Sequence, residues 1–437
     1  MLGTAAAITA TPPFGHAMRS NFMLAEDLTT FNFGGYGGTP KPVFEAQMNY
    51  IRQMEADTGE WMNGATGYRG KISAVRVELA KLLKCSADDL VLVDNASNAI
   101  NVLLARFGLT DSPFNATSPL TRRSSAPAVL LDLSVAYGPF VGYYNWLQAE
   151  RGVEVMTVDL SFPSTDAQLV AAVREALELR KAAGLAMPAA AVVDQVASVP
   201  ALKLPVAELT RVLHEYGVFV IVDGAHAVGN VPCDFSSSGE LTNVDAWFGN
   251  AHKWLMAPKS AAVMYVRADH HSGAGEVGVW PEPTVVDSYG DDFVTRFVWS
   301  GTRDRSSFCA VHDALAFRAS VGGEEAIREY THGLARWAGE HLSAVWHTKV
   351  LDSGPSQANS MLNIVVPTAN HTACLQVVHT LHASHGIYVN SCFQLDAEHG
   401  AIASYFRLSA QIFLQRSDFV KLGELVPKLL AEEAVRA

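Results

Sequence analysis

The chain has 437 residues, 49% of them hydrophobic and 17% charged, with a formal net charge of −12. That length exceeds one ordinary domain and predicts two domains, or one with a satellite. An acidic balance with no long basic run argues against nucleic-acid binding, and no apolar stretch approaches the ~20 residues that span a bilayer.

Residues 1–13 are small and Thr/Ala-rich, with no charged segment ahead of an apolar one. They read as a disordered tail and not as a secretory signal. A weak organelle presequence stays open, although Arg19 is the sole Lys or Arg among the first twenty residues. Apolar runs at 90–93, 128–133, 153–158, 189–193, 218–222, 246–249 and 261–266 predict strands. Helical spacing of apolar residues falls between many of them, as at 71–83, 167–183 and 206–216. This alternation predicts an α/β block over about 65–310, its mostly parallel sheet covered by helices on both faces. The Ser-, Thr- and Pro-rich stretch 107–126 predicts an exposed loop.

Further along, the rhythm changes. Helices are expected at 306–321 and 323–345, a strand at 362–366 and a helix at 372–384. Short strands near 387–390 and 404–408 and a last helix at 417–434 complete a smaller α+β domain. The expected division is an N-terminal segment, 1–60, packing with the small domain 311–437, and a large domain at 61–310. The five cysteines, at 85, 233, 309, 374 and 392, form no CxxC pair and are odd in number, which predicts a reduced, cytoplasmic setting.

Chemistry concentrates just past the strands, where open α/β sheets bind ligands. Asp223 follows the apolar run 218–222, and Lys253 lies about thirty residues later in Phe248-Gly249-Asn250-Ala251-His252-Lys253-Trp254. A lysine in an apolar setting holds an aldehyde as a Schiff base, and a carboxylate keeps a pyridine nitrogen protonated. Asn95-Ala96-Ser97 follows a strand and opens a helix, a place where free amides suit a phosphate. Tyr137 follows the strand at 128–133 and is placed to stack on a ring, and Arg407 lies within an apolar strand, where its fork suits a carboxylate. Each has an ordinary reading as well: Asp223 as a turn residue, Lys253 as a surface lysine, Asn95 or Ser97 as a helix cap, Tyr137 as a core aromatic and Arg407 as half of a buried ion pair.

Together with the glycine-rich Asn32-Phe33-Gly34-Gly35-Tyr36-Gly37, the motifs Asn95-Ala96-Ser97, Asp223-Gly224-Ala225-His226 and Asn250-Ala251-His252-Lys253-Trp254 resemble a class V aminotransferase-fold enzyme dependent on pyridoxal 5'-phosphate (PLP). The resemblance runs from about Phe14 to the C-terminal helix and implies the PLP-dependent transferase fold of type I. It implies that Lys253 binds the aldehyde and moves protons, that Asp223 pairs with the pyridine nitrogen, and that His226 lies near the ring's phenolic oxygen. Ala96 (through its backbone), Ser97, Asn250 and His252 would bind phosphate, Tyr137 would stack on the ring, and Ser198 would line the ring oxygen and substrate. Asn32 and Arg407 would meet the substrate, Arg407 at its α-carboxylate. Thr302, in Trp299-Ser300-Gly301-Thr302, resembles the loop that reaches the neighbouring subunit's phosphate, which implies a homodimer with shared active sites. No metal site is expected.

Within the class, the opening Phe14-Gly15-His16-Ala17-Met18-Arg19 and Ser198-Val199-Pro200 are similar to the isopenicillin N epimerase-like group, which includes cysteine desulfhydrases and the C–S lyases of ergothioneine biosynthesis. The expected reaction is an α,β-elimination on cysteine or a cysteine-derived conjugate or sulfoxide, hercynylcysteine sulfoxide among them, giving pyruvate and ammonia. Epimerase, aminotransferase and cysteine desulfurase outcomes are the alternatives. Cys392 lies near the position of the desulfurase persulfide cysteine, but the His and Arg that flank it there are missing, and an ordinary apolar or loop cysteine is the other reading. Tyr36, Trp61, Tyr68, Arg69 and Phe393 are further candidates to line a substrate pocket.

Overall fold

The computed structural model describes residues 14–105, 107–108, 127–271, 292–299, 301–352, 354–394 and 403–436. The expected tail 1–13, most of the expected loop 107–126 and Ser300 lie outside the described residues. Phe107, assigned to that exposed loop, is fully buried, because its ring joins the apolar layer on one face of the large sheet.

That sheet has seven strands: β2 (Leu90–Val93), β3 (Val129–Leu133), β4 (Glu154–Val158), β5 (Ala190–Asp194), β6 (Phe219–Asp223), β7 (Ala246–Gly249) and β8 (Ala262–Val266), in the order β2-β8-β7-β6-β5-β3-β4. Six run in one direction; β8 is antiparallel to both of its neighbours. The reversal follows from the link between β7 and β8, a loop at 250–261 in place of a crossover helix. Lys253 sits on that loop.

Alternation of side chains along each strand sorts the apolar residues into two layers. Leu131, Val193, Val222 and Trp247 face one layer, which the helices Tyr68–Leu83, Asp166–Ala182 and Val206–Glu215 cover. Leu130, Val192, Ile221 and Phe248 face the other, where the helices Ala96–Leu104 and Gly138–Arg151 pack.

Two small sheets lie outside this block. β1 (Thr29–Thr30) pairs in parallel with β10 (Ile387–Tyr388), joining the N-terminal segment to the C-terminal one. The other small sheet has the order β11-β12-β9, from β9 (Met361–Val365), β11 (Cys392–Gln394) and β12 (Ser404–Ser409), and is antiparallel throughout. The expected single helix at 306–321 is two, Ser306–Cys309 and Val311–Ser320, separated at Ala310. The helix Gly323–Trp346 follows, and Arg416–Arg436 closes the chain. No helix among the described residues is long and apolar enough to cross a membrane.

The expectation that the cysteines are reduced is corrected at one pair. Cys374, on the helix His371–His385, forms a disulfide with Cys392 on β11, because the helix packs against that strand. Cys85, Cys233 and Cys309 are free.

Candidate active site

The carboxyl ends of β3, β5, β6 and β7 border two adjoining cavities of about 170 and 270 Å³. Gly35, Tyr36, Tyr137, Ser198, His226 and Lys253 line both. Asn95, Ala96, Ser97, Asp194, Asp223, Asn250 and His252 line the inner one, and Asn390, Phe393 and Arg407 the outer one.

Lys253 is held by a hydrogen-bonded loop and not by a flexible surface segment. The Ala257 N–H donates to the Ala251 carbonyl at 3.1 Å, and the His252 N–H to that of Ala261 at 3.0 Å. Trp254, Leu255 and Met256 are buried around it. Arg318, also fully buried, donates to the Trp254 carbonyl at 2.7 Å and to that of Gly229 at 3.0 Å, stapling the lysine loop to the turn that follows Asp223. Gly37 lies so close that a Cβ there would overlap the His252 carbonyl, and its φ of +66° suits glycine.

Burial lowers the Lys253 ammonium to about 8, opposed by the Asp223 charge and assisted by Arg407. A useful fraction of neutral amine is therefore present near neutral pH, as a nucleophilic lysine needs. Its Nζ lies 3.0 Å from His226 Nε2. Burial, followed by the charges of Lys253 and Arg407, holds His226 neutral. With Nε2 accepting from the lysine, Nδ1 carries the ring proton, and this buried N–H has no partner among the described residues.

Asp223 is 5% exposed and accepts from the Ala225 N–H at 2.7 Å. Burial raises its carboxyl to about 6, with the Ala225 hydrogen bond and the Lys253 charge pulling it back down. Gly224 is required beside it, since a Cβ would meet the Trp247 indole.

At the phosphate-type end Asn95 is the cap of the helix Ala96–Leu104, accepting from the Asn98 N–H at 2.8 Å. The Ala96 N–H, expected to face an anion, donates instead to Asn250 Oδ1 at 2.9 Å, so these two residues brace each other. Ser97 is exposed to the cavity at the helix start. His252 Nδ1 donates to the Ala261 carbonyl at 2.9 Å, and burial lowers its pKa to about 4. An anion beside Nε2 would draw a second proton onto this ring.

At the outer end Arg407 is buried yet opens onto the cavity. Its guanidinium donates to Asn32 Oδ1 at 2.6 Å, to the Ser198 carbonyl at 3.0 Å and to Ser198 Oγ at 3.2 Å, while Nε has no partner among the described residues. Asn32 also donates to Asn390 Oδ1 at 3.2 Å. Asn32 therefore stands behind Arg407, outside the cavity lining, and orients it. Tyr137, the residue before the helix Gly138–Arg151, is 41% exposed and rests edge-on against Phe140. Tyr36 and Phe393 line the cavity as expected, but Trp61 and Tyr68 are buried in the core and Arg69 lies against Tyr68, away from it. Cys392 is 4% exposed, disulfide-bonded and absent from the lining, which removes the persulfide reading. Thr302 is exposed and outside both cavities of its own chain.

Three residues escaped the sequence reading. Asp194 repeats the strand-then-acid pattern of Asp223, one residue past the end assigned to its strand. Arg318 lies on a helix among the buried Ala314 and Phe317, a charge on an apolar stripe. Asn390 carried no local signal.

The inner cavity's donor set fits a phosphorylated pyridine aldehyde: a depressed lysine for the aldehyde, a buried carboxylate for a ring N–H, an orphaned His226 N–H for a ring oxygen and a helix start for phosphate. The chain matches the family model described as Aminotransferase class-V over residues 186–422. It is 26% identical to the hercynylcysteine sulfoxide lyase of Schizosaccharomyces pombe, over 94% of this chain and 97% of that protein. It is 29% identical to putative L-cysteine desulfhydrase 1 of Oryza sativa subsp. japonica, over 92% of this chain and 83% of that one. A solved C-DES variant with glycine covalently linked to its PLP cofactor superposes with a TM-score of 0.71 at 17% identity, covering 94% of this chain and 98% of that one, a likeness of fold.

Proposed function

The chain belongs to the class V aminotransferase family, and from that premise we propose that it is a PLP-dependent C–S lyase acting on cysteine or a cysteine-derived conjugate. The observation that carries this reading is the opening of Lys253 and Arg407 onto one cavity, with Ser198 and His226 between them. When bound, PLP supplies an electron sink for the bonds at a substrate's α-carbon. The chain's own residues do the rest. Arg407, oriented by Asn32 and Ser198, binds the α-carboxylate. Lys253 Nζ takes the α-proton, and the neutral His226 ring fixes where that nitrogen points. Asp223 would supply the buried carboxylate that keeps a pyridine nitrogen protonated. The β-sulfur group leaves with its bonding electron pair and takes up a proton, and water then hydrolyses the released enamine to pyruvate and ammonia.

Hercynylcysteine sulfoxide is the substrate we favour within this class, on the likeness to the fission-yeast lyase. Tyr36, Tyr137 and Phe393, all at the outer cavity, offer aromatic faces for its trimethylammonium group. The test is pyruvate release by the PLP-loaded protein from cysteine, S-substituted cysteines and their sulfoxides. We expect release from at least one. Release from none, with loss of α-deuterium and an inverted product, assigns the epimerase reaction instead.

We further propose a homodimer in which Thr302 reaches the partner's phosphate end, supported by its exposure and its distance from its own cavity. Sedimentation should give twice the chain's 47.0 kDa mass; a monomer that retains full activity overturns this.

A further inference from the structure

Three acids form a staggered row on one face of the large sheet, with Asp132 at the level of Val192, two residues before Asp194. The strands β6, β5 and β3 are consecutive neighbours, and Asp223, Asp194 and Asp132 project from them. Asp194 and Asp223 are register partners, ~4.8 Å apart across the sheet. The Gln195 N–H donates to the Asp223 carbonyl at 2.8 Å and locks the two strand ends side by side. Asp132 lies two residues beyond Leu130, as Asp194 does beyond Val192 and Asp223 beyond Ile221, so all three face the layer that Leu130, Val192 and Ile221 share. The helix Gly138–Arg151 covers that layer and places Tyr144 over the row.

All four side chains are out of water: Asp223 is 5% exposed, Asp194 4%, Asp132 3% and Tyr144 1%. Asp132 Oδ1 and the Tyr144 hydroxyl have no partner among the described residues. The groups that face the row are Tyr144 and its neighbour Tyr143 from the helix, and Lys253 beyond Asp223. Only Asp223 feels the Lys253 cation; Asp194 has Asp223 and Asp132 as its charged neighbours. Three carboxylates here would place three buried negative charges against one cationic ring nitrogen, an arrangement that desolvation and mutual repulsion forbid. Burial raises Asp194 well above the usual carboxylate range and Asp132 to about 7.

We propose that Asp194 is a proton-carrying positioning residue, a neutral acid beside Asp223 that, with Asp132 and Tyr144 behind it, leaves Asp223 the one anion of the row. The row's charge then matches that of a single protonated ring nitrogen. This deepens the PLP reading and rests on it for its functional meaning, though not for its first test.

That test uses the cofactor-free protein. A carboxyl protonated in the fold and ionised in the unfolded chain withdraws stability as pH rises from about 4 toward its folded pKa. Asp194→Asn has no proton to lose, so its melting temperature relative to wild type should rise between pH 5 and pH 8, by about 1–2 °C or more. A flat or falling difference overturns the proposal. Asp132→Asn should show the same sign, which keeps the test intact if one variant does not fold. The second readout is PLP dissociation measured by absorbance. Asp194→Ala should weaken binding ~10-fold by removing the donor beside Asp223, and Asp194→Asn should stay within ~3-fold of wild type. Equal losses overturn the positioning role, whereas failure of wild type to bind PLP sinks the cofactor reading and leaves the pH measurement standing.

Discussion

Lys253→Ala is expected to lower pyruvate release at least ~10³-fold while leaving the fold intact, the scale of losing a positioned proton-transfer group together with covalent attachment. The substitution removes a cation from a site that burial already disfavours for charge, so the loss is chemical and not one of stability. The same lysine sets a pH dependence. Only the neutral amine attacks an aldehyde, and neutral amine increases above the pKa. With Lys253 lowered to about 8, roughly a tenth is neutral at pH 7, against about one part in three thousand for an ordinary lysine. The rate of PLP capture by the cofactor-free protein, followed by borohydride trapping and mass, should climb from pH 6.5 and level off above about 8. A rate still climbing tenfold per unit at pH 10 would show an unperturbed lysine, and full activity in Lys253→Ala would remove it from the chemistry.

Arg407→Lys is expected to raise KM by ~30–150-fold with a smaller fall in kcat. Arg407 spends three contacts on Asn32 and Ser198 and still has Nε to offer. A lysine's point charge supplies no planar fork, and at this depth it cannot satisfy both the scaffold and a bound carboxylate. Losing one charge-assisted pair of this kind is worth ~2–3 kcal/mol, which sets the expected range. Burial lowers the guanidinium to about 10, so it stays charged through the neutral range. Steady-state kinetics decide the matter: a KM within twofold of wild type, with PLP absorbance retained, would assign the carboxylate to another group.

The elements that carry the cofactor end were legible because strands and motif coincide. The apolar run 218–222 leads straight into Asp223, the last residue of β6, and β7 matches its predicted span of 246–249. Lys253 and Asp223 were found by type and spacing. What stayed hidden depends on contacts between distant segments. The bracing of Ala96 by Asn250 spans 154 residues, and only the fold reveals that this N–H is already taken. The reversal of β8 was invisible because a buried antiparallel strand and a parallel one share the same apolar run. The Cys374–Cys392 bond, 18 residues apart, needed the helix and strand packed together before either cysteine had a neighbour. Asp194 follows its apolar run just as Asp223 does, and only the register of β5 with β6 shows the two carboxylates to be neighbours.

The pairing of β1 with β10 has a consequence for how the enzyme is made. The aldehyde end of the site lies within a continuous stretch, from β2 to β8, that contains every strand of the large sheet. The carboxylate clamp joins Asn32 to Arg407 across 375 residues of chain. During synthesis from the N-terminus, every strand of the large sheet is made before residue 407, while the segment carrying Asn32 has its partner only at the end. The order of synthesis therefore makes the half that meets the cofactor available before the half that admits a substrate.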